Sequence, residues 1–488
     1  MNKKRFHINP GMIGIIMSLA WPTMLEQMMQ TAVQYIDTAM VGSLGTRATA
    51  AVGATSTINW LINGTIASMG IGFLAYIAKS FGAGDKAGAK QAVAQSVLAV
   101  MVVGIFFTVL TLGLSSYVPV WMQVDEEIRQ MAAMYFFIIY APMLPRTASI
   151  IFGTVLRAAG DTKTPMKVGL IVNIINVILN FLLIYPTRRI CLFGGPGWSS
   201  LFGGREAAAG LEFTMWGADL GVIGAALASA IAFTVGGICI TVALWRQPLV
   251  SPKGQSFRPN LAILRPCMKV AIPNMFQRFG TSLGYVAFAS MINSLGEVAT
   301  AAHTIANTVE SAFYIPGYGM QTAAATLAGN AYGAKDRKRM KELAEMFIPI
   351  EIILMIFSGG ALFVLAKPLM GLFSASAEVI ALGTMVLRMV AVSEPFYGFS
   401  IIIEGMMQGV GKTREPFIYN ILGMWGIRIV GTYICTQHLG MGLISAWACM
   451  IAHNMLLFVC FLICYVRGSW NPLRQADSIE EAKDFIKG

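Results

Sequence analysis

The sequence predicts an all-α polytopic membrane protein, with twelve transmembrane helices in two pseudo-symmetric six-helix bundles around a central cavity. Three observations predict it. The chain of 488 residues is 56% hydrophobic and only 12% charged, about half the charge of a typical soluble domain. Apolar segments long enough to cross a bilayer recur along its whole length. The second half of the chain also repeats the first at a constant offset of 251 residues.

The apolar segments fall near 12–42, 48–80, 91–118, 131–157, 165–185 and 220–246, then 266–293, 300–331, 343–371, 379–409, 416–437 and 440–466. Several exceed the span of the hydrocarbon, so tilts, kinks or projecting ends are expected. Pro22, Pro273 and Pro316 are the candidate kinks. The start, MNKKRFHINPG, leads directly into the first span and shows no cleavable signal pattern. The seven cysteines are scattered, none in a paired metal spacing, and read as small apolar residues.

An even number of helices puts both termini on one side. Of the 35 Lys and Arg, 25 fall in the termini and every second loop. Six fall in the opposite loops (Arg47, Arg129, Arg188, Arg189, Arg205 and Lys367), and Arg146, Arg278, Arg388 and Arg428 lie within spans. This bias predicts cytoplasmic termini. The net charge of +11 is therefore a topology signal, and nucleic-acid binding is not expected.

The repeat aligns Trp21-Pro22 with Ile272-Pro273, Ser43-Leu44-Gly45 with Ser294-Leu295-Gly296, and Phe81-Gly82-Ala83 with Tyr332-Gly333-Ala334. Gly160 to Pro165 aligns with Gly411 to Pro416. Each half has six spans in the same orientation, so the repeats are parallel and related by an axis along the membrane normal. The expected units are a bundle over 1–246, a linker over 247–265, a second bundle over 266–467 and a tail over 468–488. The loop at 186–219 is long and glycine-rich. Phe193, Trp198, Leu201, Phe213 and Trp216 suit it to an interfacial hairpin, with a lid over the outer mouth as the alternative. The tail segment ADSIEEAKDFIKG suits a short amphipathic helix.

Polar residues inside apolar spans mark candidate sites. Glu26, Gln30, Gln34 and Asp37 occupy i, i+4, i+8 and i+11 of the first span, one stripe of a helix. The stripe is a candidate path for a proton or Na⁺. Asn173, Asn176 and Asn180 share one face of the fifth span. In the second half, Arg278 is expected to pair with Glu310 or Glu394. By the repeat, Glu310 aligns with Asn59 and Tyr397 with Arg146, so these four are candidate cavity residues, with Tyr285, Glu394 and Arg278.

The pieces YIDTAMVGSLG (35–45), AKSFGAGDKAGAK (78–90), FGTVLRAAGDTKTP (152–165) and IEGMMQGVGKTREP (403–416) resemble those of the MATE family, the multidrug and toxic compound extrusion transporters. The resemblance covers essentially the whole chain. It implies antiport of small cationic or amphiphilic organic compounds against Na⁺ or H⁺ by alternating access, by a monomer in the lipid bilayer with no cofactor and no enzymatic activity. It makes Asp37 the cation-coupling carboxylate and gives Asn176, Asn180 and Ser229 the neighbouring ligand positions, with no other metal. One departure is that Asn180 stands where some members carry aspartate. Another is that the carboxylate pair some members carry in the second bundle is replaced here by Thr281 and Tyr397. The remaining alternative is a lipid or lipid-linked oligosaccharide flippase of the same architecture, for which Arg146, Arg278 and Arg428 would bind phosphates. Four dispersed histidines and no GKS/T loop argue against an intramembrane enzyme and against direct use of ATP.

Overall fold

Matching residues begin and end helices at matching places in the two halves. The computed structural model describes residues 10–122, 124–192 and 211–474. The first half comprises α1 (Pro10–Gly42), α2 (Thr46–Gly82), α3 (Lys86–Leu114), the single turn α4 (Val118–Trp121), α5 (Glu126–Tyr140), α6 (Met143–Ala158), α7 (Lys163–Leu183) and α8 (Gly221–Arg246). The second comprises α9 (Leu261–Asn293), α10 (Glu297–Gly333), α11 (Arg337–Phe373), α12 (Ala377–Gly409), α13 (Arg414–Ile421), α14 (Val430–Tyr433) and α15 (Leu443–Arg467). Wider π turns at Leu422–Ile429 and Ile434–His438 join α13 and α14 into one span, Arg414–His438.

Asp85 caps α3 by accepting from the Gly88 amide at 2.8 Å, and its repeat mate Asp336 caps α11 by accepting from the Arg339 amide at 2.9 Å. Gly45 and Gly296 precede α2 and α10 at φ 108° and 103°, and Gly160 and Gly411 follow α6 and α12 at 85° and 84°. These left-handed turns tolerate no side chain cheaply, so the repeated glycines are a repeated backbone geometry.

Eight of the described helices are long and apolar enough to cross a membrane, and α5 with α6 makes nine. That pair is one span bent by 51° at Ala141-Pro142. The sequence reading of a continuous segment over 131–157 is corrected here, because Pro142 and Pro145 deny the backbone donors a straight helix needs. Pro22, Pro273 and Pro316, by contrast, lie inside continuous helices. The three remaining spans, α1, α9 and α10, carry more polar residues and pack between the bundles.

Within the loop at 186–219, two described stretches pair as strands. Strand β1 (Pro186–Leu192) pairs antiparallel with β2 (Leu211–Ala218), and Trp216 on it is exposed. Phe193, Trp198, Leu201 and the segment ADSIEEAKDFIKG lie outside the described residues.

Burial shows how the halves join. The core of the first half draws in Ile263 and Cys267 from the start of α9, while Met12, Ile16, Leu19, Ala20 and Met24 from the start of α1 join a core of the second half. Each half lends the first turns of its leading helix to the other, so the boundary at 246/266 divides the sequence but not the packing. The loop from the first half ends sooner than expected, with α9 starting at Leu261.

The two halves meet tightly at the face that carries the basic loops. A Cβ at Gly82 would collide with the Asn330 carbonyl, and one at its repeat mate Gly333 would collide with the Lys79 carbonyl. Gly72 and Gly329 make similar close approaches to Cys267 and Ala78. At the opposite face, Gly42, Gly45, Gly53 and Gly296 have nothing within 4 Å of a Cβ position. The seam is closely packed at the basic face, and farther from it Tyr35 Oη still donates across the halves to the Thr308 carbonyl at 2.7 Å.

Candidate functional site

Asp37 sits near the far end of α1, half-buried, where α1 meets α7 and α8. The one-face spacing of the α7 asparagines brings them to it. Asn180 Nδ2 donates to Asp37 Oδ1 at 2.5 Å and to Asn176 Oδ1 at 3.2 Å. Asn176 also reaches Ser229 of α8, its Nδ2 donating to Ser229 Oγ at 3.1 Å. Asn176 and Asn180 are 5% and 1% exposed. The four residues the sequence singled out, Asp37, Asn176, Asn180 and Ser229, thus form one cluster from three helices.

Asn176 satisfies both its amide atoms in one orientation, and in the other needs a proton or cation at Asp37. In one, its nitrogen donates to Asp37 Oδ1 and Oδ2 at 2.8 and 3.1 Å while its oxygen accepts from Ser229 Oγ at 3.1 Å. In the other, its oxygen faces the carboxylate and its nitrogen donates to the hydroxyl. The first suits an ionised Asp37 standing alone. The second suits an Asp37 that carries a proton or shares a cation with that oxygen. Asn180 Oδ1 is buried with no partner, a free oxygen beside the carboxylate. The set of carboxylate, amide and hydroxyl oxygens is that of a hard-cation site.

The stripe on α1 does not continue to Asp37 as a hydrogen-bonded chain. Glu26 is 8% exposed and held by Arg157 of α6, whose Nη2 donates to Glu26 Oε1 at 2.6 Å and Oε2 at 2.7 Å. Gln30 and Gln34 are exposed, and among the described residues their side chains make no hydrogen bond. Arg157, read from the sequence as part of a basic loop, points inward. We expect Arg157→Gln to lower stability by about 3–5 kcal/mol, because it leaves a buried carboxylate without its partner. The double variant Glu26→Gln/Arg157→Gln should recover much of that loss in thermal unfolding. A double variant no more stable than Arg157→Gln would sink the structural reading of this pair.

The other candidates are mostly buried inside their own bundles. Arg146 is 5% exposed, donates from Nη2 to Asn59 Oδ1 at 2.6 Å, and stacks 4.4 Å from Phe233 and 5.6 Å from Tyr140. Tyr397 Oη lies 3.0 Å from Tyr318 Oη, and both rings meet Tyr314 edge-on. Glu310 and Glu394 are 6% and 2% exposed. The expected pairing of Arg278 with either is corrected: among the described residues Arg278 makes no ion pair within 4.0 Å. Its neighbour Gln277 turns instead to Glu404, which it meets at 2.8 Å. Arg428, in the π turn of the eleventh span, sits 4.7 Å over Tyr285 and 4.2 Å over Phe288.

Sequence reasoning missed Glu351 of α11. It is fully buried, neither oxygen has a partner, and it lies against Gly317 of α10 and Gly398 of α12. Its signal was a lone carboxylate inside the apolar run FIPIEIILMIF. Among the described residues, no group of three His, Cys, Asp or Glu side chains is arranged to hold a metal ion.

A family profile described as MatE matches residues 22–182 and again 273–434. The probable multidrug resistance protein NorM of Thermotoga maritima is 23% identical over 455 residues, covering 93% of this chain and 92% of that one. The protein of the same name from Neisseria meningitidis serogroup B is 18% identical, covering 95% and 96%. Among solved structures, a MATE transporter in complex with MaL6 superposes with a TM-score of 0.82 at 22% identity, covering 94% of this chain and 97% of that one. A MOP superfamily transporter from Pyrococcus furiosus superposes at 0.81 with 23% identity, covering 94% and 96%.

Proposed function

From the premise that this chain belongs to the MatE family, we propose that it is a secondary active exporter. Its cargo is cationic or amphiphilic organic compounds, taken out against inward movement of Na⁺ or H⁺ by alternating access. The observation that carries the proposal is the cluster of Asp37 with Asn176, Asn180 and Ser229 in the first bundle. The basic face is taken as cytoplasmic, on the Lys and Arg bias, and the working unit as a monomer.

The mechanism follows from charge. A carboxylate in a spanning helix is tolerable when protonated or when a cation sits beside it. Loading Asp37 changes what Asn176 and Asn180 must present to it, and so changes the packing of α7 and α8 against α1. Those helices belong to the first bundle, while α1 also lends its first turns to the second bundle's core. An ion at Asp37 therefore biases how the bundles stand relative to each other. The NorM relatives carry the words multidrug resistance in their names, which supports organic compounds as cargo. The flippase reading has less support. Arg146 and Arg428 each stack on aromatic rings, in separate bundles, and do not converge on one phosphate.

The test is export of a fluorescent organic cation from vesicles holding the purified protein, under an imposed Na⁺ gradient or an imposed pH gradient. Export that follows one gradient and stops when it is collapsed is the expected result. Export indifferent to both gradients, or movement of fluorescent lipid without export of the cation, would overturn the reading.

A further inference from the structure

Arg388 is unlike the other charges inside the spans. It lies on α12, exposed, in a groove of about 470 Å³ between α11 and α12 lined by Phe363, Thr384, Met385, Met389 and Val392. Met385 and Val392 are 51% and 65% exposed, so this is an outward, lipid-facing surface of the second bundle. The guanidinium lies 5.2 Å over the Phe363 ring, and its Nε donates to the Phe363 carbonyl at 3.3 Å. Among the described residues, it has no carboxylate partner. A second polar group lines the same groove and is also unspent. Thr384 is 8% exposed, and its Oγ1 is buried with no hydrogen-bond partner.

Depth and charge select the occupant. Arg388 is 11 residues into α12 from Ala377, about 16 Å along the helix at 1.5 Å per residue. With the 33 residues of α12 centred across the bilayer, that leaves it about 8 Å from the midplane, inside the hydrocarbon of the half away from the basic face. Lys367 is one turn beyond Phe363 on the same side of α11, exposed and nearer the headgroups. An unpaired guanidinium in an apolar groove at that depth calls for an anion whose remainder is apolar. We propose that this groove binds an anionic phospholipid. Its phosphate accepts from Arg388, its headgroup oxygens meet Lys367, and an acyl chain lies along Met385, Met389 and Val392. The site lies away from the Asp37 cluster, and the proposal goes beyond the transport reading.

The experiment is lipid retention by the purified full-length protein, read by native mass spectrometry with phosphatidylglycerol, phosphatidylcholine or inorganic phosphate. Wild-type protein should retain phosphatidylglycerol about fivefold better than phosphatidylcholine, the effect of one basic side chain near a lipid surface. Arg388→Gln should erase that preference, and Arg388→Lys should keep part of it. Lys367→Gln should lower the preference for phosphatidylglycerol and provides the reading should Arg388→Gln not purify. Equal retention of the two lipids by wild-type protein would overturn the proposal. So would a preference that survives undiminished in both Arg388→Gln and Lys367→Gln, or displacement of the lipid by inorganic phosphate alone.

Discussion

Vesicles carrying Asp37→Asn are expected to lose gradient-driven export entirely, with the protein still inserted and folded. Asparagine keeps the shape of the side chain and can still meet the Asn180 amide that now donates to Asp37 Oδ1. What it loses is the charge, and with it the two-state choice between a loaded and an unloaded site. A ligand with equal affinity for two conformations shifts neither, so a site that no longer binds the ion differentially transmits nothing from the gradient. Thermal unfolding should move little, or upward, because an ionisable group in a span is replaced by a neutral one. Asp37→Glu, which keeps the charge on a longer arm, should retain a fraction of the rate. Wild-type export by Asp37→Asn, with unaltered dependence on the gradient, would remove the basis of the proposed mechanism.

The sequence exposed this cluster because helix periodicity and the family motif pointed the same way. Asn176 and Asn180 share a face, and Ser229 follows a recognisable small-residue run. The repeat was equally legible, since glycines that must adopt a left-handed backbone leave a signature at fixed spacing. The failures share one cause. Periodicity says which residues share a helix face, but not which neighbour that face meets. Glu26 was placed correctly on a stripe with Asp37, yet its partner Arg157 lies 131 residues away and looked like a loop charge. Arg278 and Glu310 lie in the same bundle but do not meet, and Arg428, which stacks on Tyr285, comes from a π turn that no apolar pattern announces. Glu351 went unnoticed because its helix reads as an ordinary apolar span on either side.

Gly82→Ala and Gly333→Ala are expected to unlatch the basic face. Each residue lies where helix backbones of the two halves touch, Gly82 against the Asn330 carbonyl and Gly333 against the Lys79 carbonyl. The atoms in the way are main chain, which cannot rotate aside as a side chain can. One extra methyl in a well-packed contact costs about 1–3 kcal/mol. Here the cost falls only on the conformation in which the seam is shut, since the added methyl has room once the bundles separate. That disfavours the shut seam by roughly 5- to 150-fold relative to the open one. Alternating access needs both, so export should fall several-fold or more in either variant. Spin labels placed at Lys86 and Lys338, in a background without native cysteines, should report a longer distance across the basic face. Gly42→Ala and Gly53→Ala, where a Cβ meets nothing within 4 Å, should leave rate and distance near wild type. The repeat makes the test stringent. Gly82 and Gly333 are equivalent positions of the repeat, so a seam that latches through both should respond alike to either change. If one variant opens the face and the other leaves it shut, the latch is a local contact of one helix pair rather than a property of the two-fold architecture.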